Sequence, residues 1–267
     1  MGDYSKQPFF DAVFLGNENN INQNARNEKV YGFELGYGYT SEKLSANVNI
    51  YRTEWKDRFK TVGYRDGNIR GTADLQGIKQ LHTGIELDFT YDLSDKFRLV
   101  GMASVGDWEY AGNVSGTAFD DLDPVVTVTL YLDGIKVGNS AQTTARLGFD
   151  WDVAKNFKVD YSHRYAARLY ADINTEDFDS LENDGSLQLP NYFLGDLGMS
   201  YKFDFKDSSN LNFRLNINNV GNTEYIAESL TNNFLESGDD SYQGINTNNK
   251  AFFGFGTTWN LTARYRF

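Results

Sequence analysis

The chain has 267 residues, no cysteine and a formal net charge of −12. That acidity argues against a nucleic-acid partner, because phosphate binding needs a basic face. The missing thiols exclude a disulfide framework and a thiolate metal site.

Mean hydropathy is −0.54, and no run approaches the ~18 apolar residues of a membrane helix. A membrane barrel escapes that test, since lipid-facing and lumen-facing residues alternate and average to a polar value. Aromatic residues make up 15% of the chain, with 17 Tyr and 20 Phe, and they fall on alternating stretches. Met1 to Gly16 lacks a basic segment, and its short apolar patch is broken by Asp11, so it does not read as a signal peptide. An outer-membrane protein needs such a signal. The expectation is therefore either a soluble chain or a piece of something longer.

Residues 1–28 are rich in Asn, lack periodicity and read as loop. Tyr31, Phe33, Leu35, Tyr37 and Tyr39 then alternate with Gly32, Glu34, Gly36 and Gly38. After a tight turn at Thr40–Lys43, Leu44, Ala46, Val48 and Ile50 alternate with Ser45, Asn47 and Asn49, which makes a hairpin. The apolar parity changes near Tyr51 on the way to Trp55 and Phe59, and predicts a bulge there. Residues 60–76, with Gly63, Gly67, Gly71 and several charges, read as a loop.

The second hairpin sets Leu81, Thr83, Ile85, Leu87, Phe89 and Tyr91 against His82, Gly84, Glu86, Asp88 and Thr90, turns at Leu93–Lys96, and returns through Phe97, Leu99, Gly101, Ala103 and Val105. Val100 and Met102 on its other face blur the orientation of that return. Residues 107–141 form a long connection around Pro124, with a short β-rich piece at Val125–Leu132. The third hairpin runs through Ala145, Leu147, Phe149 and Trp151, turns at Ala154–Asn156, and returns through Phe157, Val159 and Tyr161. An acidic loop with Pro190 covers 171–191. The fourth hairpin is Leu197 to Phe205, a turn at Lys206–Asn210, then Leu211 to Ile217, with Asn212, Arg214, Asn216 and Asn218 on its polar face. Residues 221–250 are a last Asn/Gly-rich loop.

The ending, Phe252 to Phe267, alternates strictly. Phe253, Phe255, Thr257, Trp259, Leu261, Ala263, Tyr265 and Phe267 stand on one side. This predicts one long strand with a greasy and a wet face, against about 5–6 residues for a soluble strand and about 9–11 for one that crosses a bilayer. An ordinary sandwich strand that happens to be last is the alternative. Short turns alternate with long loops, all three prolines fall in the long loops, and aromatics crowd the short-turn ends. That is the layout of an antiparallel transmembrane β-barrel with periplasmic turns and an aromatic belt. The pattern gives about nine strands, whereas single-chain bacterial barrels have even counts. Either Val125–Leu132 supplies a tenth strand, or upstream strands are missing; we favour the second.

These pieces, in this order, resemble the carboxyl-terminal part of a TonB-dependent outer-membrane receptor. Val30–Phe59 resembles the family's E-x-G-Y…N-x-Y-x-x-x-W-x-D hairpin through Glu34, Gly36, Tyr37, Asn49, Tyr51, Trp55 and Asp57. Thr83–Tyr91 resembles its G-x-E strand through Gly84 and Glu86. Leu132–Phe149 resembles a G-x-x-V-x-x-x-P approach to a strand, with Ala141 in place of Pro. Ile217–Tyr225 resembles N-L-F-D-x-x-Y loosely, through Asn219, Val220, Asn222 and Tyr225, with Gly221 in place of the aromatic. The terminal Tyr-Arg-Phe resembles a barrel insertion signal, carried by Trp259, Leu261, Tyr265 and Phe267. The resemblance covers nearly the whole chain. It implies a barrel of about 22 strands, a plug filling its lumen and a box that contacts TonB. No stretch here resembles plug or box, so residues 1–267 are expected to hold roughly the last nine strands. Implied partners are outer-membrane lipid, the barrel-assembly machinery, the plug and TonB. The implied function is energy-dependent uptake of a scarce, bulky ligand: siderophore–iron, cobalamin or oligosaccharide. A small self-closing barrel acting as a pore or adhesin is the runner-up, and an outer-membrane hydrolase a third class.

Glu34, Glu86, Asp88, Arg146, Asp160, Arg164, Arg214 and Arg264 share the lumen parity, where they could grip a plug or form a solvated wall. Trp108, Tyr110, Tyr170 and Tyr242 are aromatic candidates for ligand capture from outer loops, since rigid rings stack at low entropic cost; rim anchoring is the bland alternative. Asp172–Asp184 is rich in oxygen ligands but lacks the calcium-loop spacing, and reads better as a solvated loop. No catalytic set emerges. Ser162 and His163 face opposite sides of a strand, as do Asp160 and His163. Gly254-Phe-Gly256 lacks the third glycine and helix of a dinucleotide site. No cofactor or metal is expected.

Overall fold

A computed structural model of the chain describes every residue except 15–18, 67–68, 121–122 and 207–208. Among the described residues the elements are β1 (Gly2–Lys6), α1 (Phe10–Val13), β2 (Glu28–Thr40), β3 (Leu44–Asp66), β4 (Ile69–Ser94), β5 (Phe97–Tyr110), β6 (Val114–Asp120), β7 (Asp123–Leu130), β8 (Thr143–Ala154), β9 (Phe157–Ala167), α2 (Thr175–Phe178), β10 (Tyr192–Asp204), β11 (Asn210–Asn218), β12 (Ile226–Ser229), β13 (Ser241–Tyr242), β14 (Ile245–Asn246), β15 (Ala251–Phe253) and β16 (Thr258–Arg266). The wall is one antiparallel sheet in the order β1-β2-β3-β4-β5-β8-β9-β10-β11-β16, and it is open, with β1 and β16 at its edges.

Period-2 alternation gives this wall two unlike faces. One row across it pairs Leu35, Ile50, Ile85 and Val105; the next pairs Gly36, Asn49, Glu86 and Ser104. The return strand Phe97–Val105, blurred in the sequence, turns its apolar side to the same face as Phe89 and Leu87. The apolar face is bare: Leu35, Leu147 and Leu261 are each more than half exposed. Leaving such side chains in water costs about 25 cal/mol per Å², so this face is complete only against hydrocarbon. β11 and β16 have 9 residues each, the length that crosses a bilayer when tilted.

Several expectations need correction. Residues 1–28 are not all loop, because β1 pairs with the upper part of β2 (Gly2↔Gly32 to Lys6↔Glu28). Leu15 to Glu18 and Gly16 within it lie outside the described residues. The loop expected over 60–76 is instead the continuation of β3 and β4, paired from Phe59↔Gln76 to Asp66↔Ile69; Gly67 lies outside the described residues. The bulge is not at Tyr51, whose pairing with Gly84 is regular, but between Trp55 and Phe59. Asp57 there adopts φ 57°, the left-handed region that Asp tolerates. The parity change seen in the sequence has another cause: Tyr51 and Trp55 are large rings on the polar face. Val125–Leu132 lies mostly on β7, which among the described residues pairs with β6 alone, off the wall; the tenth member of the wall is β1. The terminal stretch is not one strand. β16 begins at Thr258, and Phe253 belongs to β15, paired with β12. Asn219 and Asn222, at φ 49° and 48°, hold the break: Thr257 donates its N–H to Asn222 Oδ1 at 3.0 Å and its hydroxyl to Asn219 O at 2.7 Å.

The apolar core lies beyond the long-loop ends, in a cap. Val62, Leu75 and Ile78 from the extended hairpin, Tyr110, Leu130 and Leu132, Ile173 just before α2 and Phe178 at its end form one buried cluster. Leu169, Ala171, Leu187, Leu189, Ile226 and Ile245 form a second. Asn232 ties the two: its Oδ1 accepts from Leu187 N at 2.9 Å, and its Nδ2 donates to Asp172 O at 2.8 Å. Asp172 also takes an ion pair from Lys60 of β3, and Thr175 Oγ1 donates to Gly63 O at 2.9 Å. The acidic loop is therefore docked on the extended β3 rather than free in solvent.

Candidate functional site

Chemistry on the polar face is concentrated toward the two ends of the strands. Near the cap, Tyr51, His82 and Trp108 come together because Tyr51 pairs with Gly84 and His82 with Trp108. The Trp108 indole N–H donates to Tyr51 Oη at 2.9 Å, and the His82 ring stacks on the indole with centroids 5.2 Å apart. Glycine makes the room: a Cβ on Gly84 would stand 2.5 Å from Tyr51 Oη, and one on Gly106 2.5 Å from Trp108 Nε1. Gln80 Oε1 lies 3.3 Å from His82 Nε2 and accepts a hydrogen bond from Arg58. Burial first, and the Arg58 guanidinium second, pull His82 down to about 4, so its ring is neutral at neutral pH. Arg58 sits 5.1 Å over the Trp55 ring, and its Nε is buried with no partner among the described residues. The product is an uncharged aromatic ledge with a cation beside it, a surface suited to flat or sugar rings.

Of the four aromatics expected to capture a ligand, only Trp108 belongs to this ledge. Tyr110 and Tyr170 are 2% and 9% exposed. Tyr110 packs into the cap core, where burial pushes its hydroxyl pKa up. Neither ring is presented to solvent, which corrects that expectation. Tyr242 is on the surface, donating to Glu224 Oε2 at 3.0 Å and meeting Phe253 edge-on. Tyr51, His82 and Arg58 escaped the sequence reading. The available signal was the G-x-E strand itself: a glycine opposite a large ring marks a place where that ring lies flat on the wall.

Toward the short-turn end, Asp160 and Arg214 form a two-point ion pair, with Arg214 Nη2 2.9 Å from Asp160 Oδ2. Arg214 also donates to Asn216 Oδ1 at 2.8 Å and to Ser200 Oγ at 3.2 Å. Beside them is a hollow of about 490 Å³ lined by Asp92, Arg98, Asp150 and Lys158. Arg164 pairs with Asp196 at 3.4 Å, and Asp88 accepts from Asn47 at 3.1 Å. Among the described residues the side chains of Glu34, Glu86, Arg146 and Arg264 make no hydrogen bond or ion pair. By register all eight charges share one face of the sheet. Trp259, Leu261, Tyr265 and Phe267 stand on the other, with Leu261 opposite Leu215 and Tyr265 opposite Leu211. Among the described residues no group of three or more His, Asp or Glu side chains is placed to hold a metal ion.

A family model described as TonB dependent receptor-like, beta-barrel, matches residues 4–220. The chain belongs to the TonB-dependent receptor family. Among solved structures, the copper transporter OprC superposes with a TM-score of 0.62 at 15% identity, over 99% of this chain and 37% of that one. The siderophore receptor PiuA from Acinetobacter baumannii does so with a TM-score of 0.61 at 17% identity, over 98% and 32%. The ferric citrate transporter FecA gives 0.56 at 19% identity, over 90% and 31%. A comparison with curated protein sequences found no match. The chain thus spans about a third of the length of the receptors it superposes on. These relatives are receptors and transporters of the bacterial outer membrane rather than enzymes. In this TonB-dependent receptor chain the aromatic ledge lies on the polar face beside the cap, at the end of the strands opposite the short turns.

Proposed function

We propose that residues 1–267 form the carboxyl-terminal wall of a larger TonB-dependent receptor, whose plug fills the lumen and whose coupling to TonB drives uptake of a scarce, bulky ligand across the outer membrane. The observation that carries this reading is the division of the polar face. An aromatic ledge sits at the mouth, and four charges whose side chains have no partner among the described residues (Glu34, Glu86, Arg146 and Arg264) line the wall. A plug contributing opposite charges satisfies Glu34, Glu86, Arg146 and Arg264, while Asp88, Asp160, Arg164 and Arg214 are held by the wall itself. Ligand reaches the ledge of Tyr51, His82 and Trp108 first, with Tyr242 on the outer rim. Siderophore–iron, cobalamin and oligosaccharide each present flat or ring-shaped surfaces that such a ledge can stack. The β16 pattern ending in Tyr265 and Phe267 serves the barrel-assembly machinery during insertion into lipid.

The test is binding of a panel of ferric siderophores, cobalamin and oligosaccharides to the full receptor, followed by the winning ligand on Trp108→Ala. Loss of a stacked ring costs about 1–3 kcal/mol, or roughly a tenfold to hundredfold rise in Kd. Unchanged affinity in a folded variant removes the ledge from the binding site. Failure of every panel member to bind refutes the receptor reading for these ligand classes.

A further inference from the structure

The ledge carries more than rings. His82 and Trp108 lie nearly parallel, with 14° between their planes, and register sets Thr53 beside His82 in the same row. The hydrogen-bonding capacity left on these groups is fixed by their neighbours. Gln80 Oε1 accepts from Arg58 and lies 3.3 Å from His82 Nε2. A carbonyl oxygen cannot donate, so Nε2 carries the ring hydrogen and Nδ1 keeps its lone pair. Tyr51 Oη accepts the Trp108 indole N–H at 2.9 Å, which leaves its own hydrogen to give. Neither His82 Nδ1 nor that hydroxyl hydrogen has a partner among the described residues. The ledge thus presents an acceptor and a donor beside a flat apolar surface, and the Thr53 hydroxyl can serve as either.

Charge at this end of the sheet points the same way. The cap-end segments 7–27, 57–79, 111–142, 171–191 and 219–257 hold 20 acidic and 8 basic residues, while the rest of the chain holds 17 of each. The whole net charge of −12 therefore belongs to the cap end. An approach of one sign lowers the local concentration of solutes of the same sign. Arg58, the cation beside the ledge, is turned to Gln80 and to the Trp55 ring. This acidity is a filter around the ledge and not itself a site.

We propose that the ledge takes a neutral oligosaccharide, with a sugar ring laid on His82 and Trp108, one hydroxyl donating to His82 Nδ1 and another accepting from Tyr51 Oη. Hydroxyls both give and take hydrogen bonds, which is what these two atoms require of one ligand. The deprotonated oxygens of a ferric chelate can only accept. They would set a lone pair against that of Nδ1 and bring negative charge through an acidic approach. Cobalamin, whose amides also give and take, is the competitor that the test separates. The assignment rests on the ledge being the binding site of the receptor proposed above.

The test is isothermal titration calorimetry on the full receptor in detergent. The probes are neutral hexasaccharides of glucose, mannose, galactose and xylose, a ferric tris-catecholate, cyanocobalamin, and the uronic-acid counterpart of whichever hexasaccharide binds. At least one neutral hexasaccharide is expected to bind. Trp108→Ala should weaken it about tenfold to a hundredfold. His82→Phe keeps a ring on the indole, removes the acceptor, and should weaken it about threefold to tenfold. The uronate should bind about tenfold more weakly than the neutral sugar at low salt, a gap that narrows as salt is raised. Binding of no neutral hexasaccharide overturns the assignment, and so does equal affinity for the uronate at low salt. A ferric tris-catecholate or cyanocobalamin that binds and is weakened by Trp108→Ala also overturns it, yet leaves the ledge as the binding site. A hexasaccharide whose affinity is unmoved in folded Trp108→Ala and His82→Phe removes the ledge itself, and the assignment with it. Heat-modifiable migration on gels reports folding, and if Trp108→Ala fails to assemble, His82→Phe decides alone.

Discussion

Replacing Phe178 with alanine tests whether the cap is a packed body of its own. The ring is fully buried, at 0% exposure, among Leu75, Ile78, Leu130, Leu132 and Ile173. Deleting such a ring costs about 3–5 kcal/mol. None of its neighbours lies on the spanning parts of β9, β10, β11 or β16, so the cost falls on local opening of the cap. At 1.4 kcal/mol per factor of ten, amides that open with the cap should exchange about a hundredfold to a few thousandfold faster. The reporters are Tyr131 N–H, which donates to Phe178 O at 2.8 Å, and Ala111 N–H, which donates to Lys79 O at 3.0 Å. Hydrogen–deuterium exchange with mass spectrometry, on the receptor in nanodiscs, reads both against the amides of β9 and β10. Acceleration below about threefold in the cap would mean that Phe178 anchors nothing. Equal acceleration in β9 and β10 would mean that cap and wall are one cooperative unit. Either result refutes the reasoning.

Arg214→Ala strands Asp160 on the polar face; both side chains are about a third exposed, so the expected loss is only about 1–2 kcal/mol. Urea midpoints in micelles measure it, and Asp160→Asn combined with Arg214→Gln should recover most of it. Asp107, above the spanning part of β5, is held below the usual carboxylate range by its hydrogen bond from Lys136, reinforced by Arg168. Its contribution to tethering residues 134–137 is therefore fully present above its ordinary value of 3.8 and lost as pH falls through the depressed one. Exchange of the Val137 amide, bonded to Trp108 O at 3.0 Å, should stay protected from neutral pH down to that window, and Asp107→Asn should flatten the profile. Gly84→Val drives two methyl groups into the Tyr51 ring and should abolish the Trp108–Tyr51 hydrogen bond, visible as a shifted indole N–H resonance; an unmoved resonance refutes the ledge geometry. Truncating both Tyr265 and Phe267 to alanine should reduce assembled receptor in the outer membrane several-fold without altering synthesis, measured by heat-modifiable migration.

The wall of this protein is legible in its sequence because a strand's two faces follow from local geometry. Residues i and i+2 share a side whatever the chain does elsewhere. Leu35, Ile50, Leu147 and Leu261 therefore announce the apolar face, and Glu34, Asp160, Arg214 and Arg264 the polar one, with no knowledge of neighbours. Turn positions and strand order follow too, since short hairpins leave little choice. What lies above the wall does not follow. The extended hairpin at 60–76 looks like loop, because its glycines and charges are read without the partners that use them. Asp172 meets Lys60, Thr175 meets Gly63, and Phe178 fills a core only after segments more than a hundred residues apart are brought together. Tyr110 and Tyr170 carry the same local signal as exposed rings and are buried by that assembly. Tyr51 and His82 acquire a role only when the register sets Gly84 and Gly106 opposite them. Periodicity is a one-dimensional property and survives in the sequence; burial and juxtaposition are set by long-range pairing, and only the tertiary structure decided them.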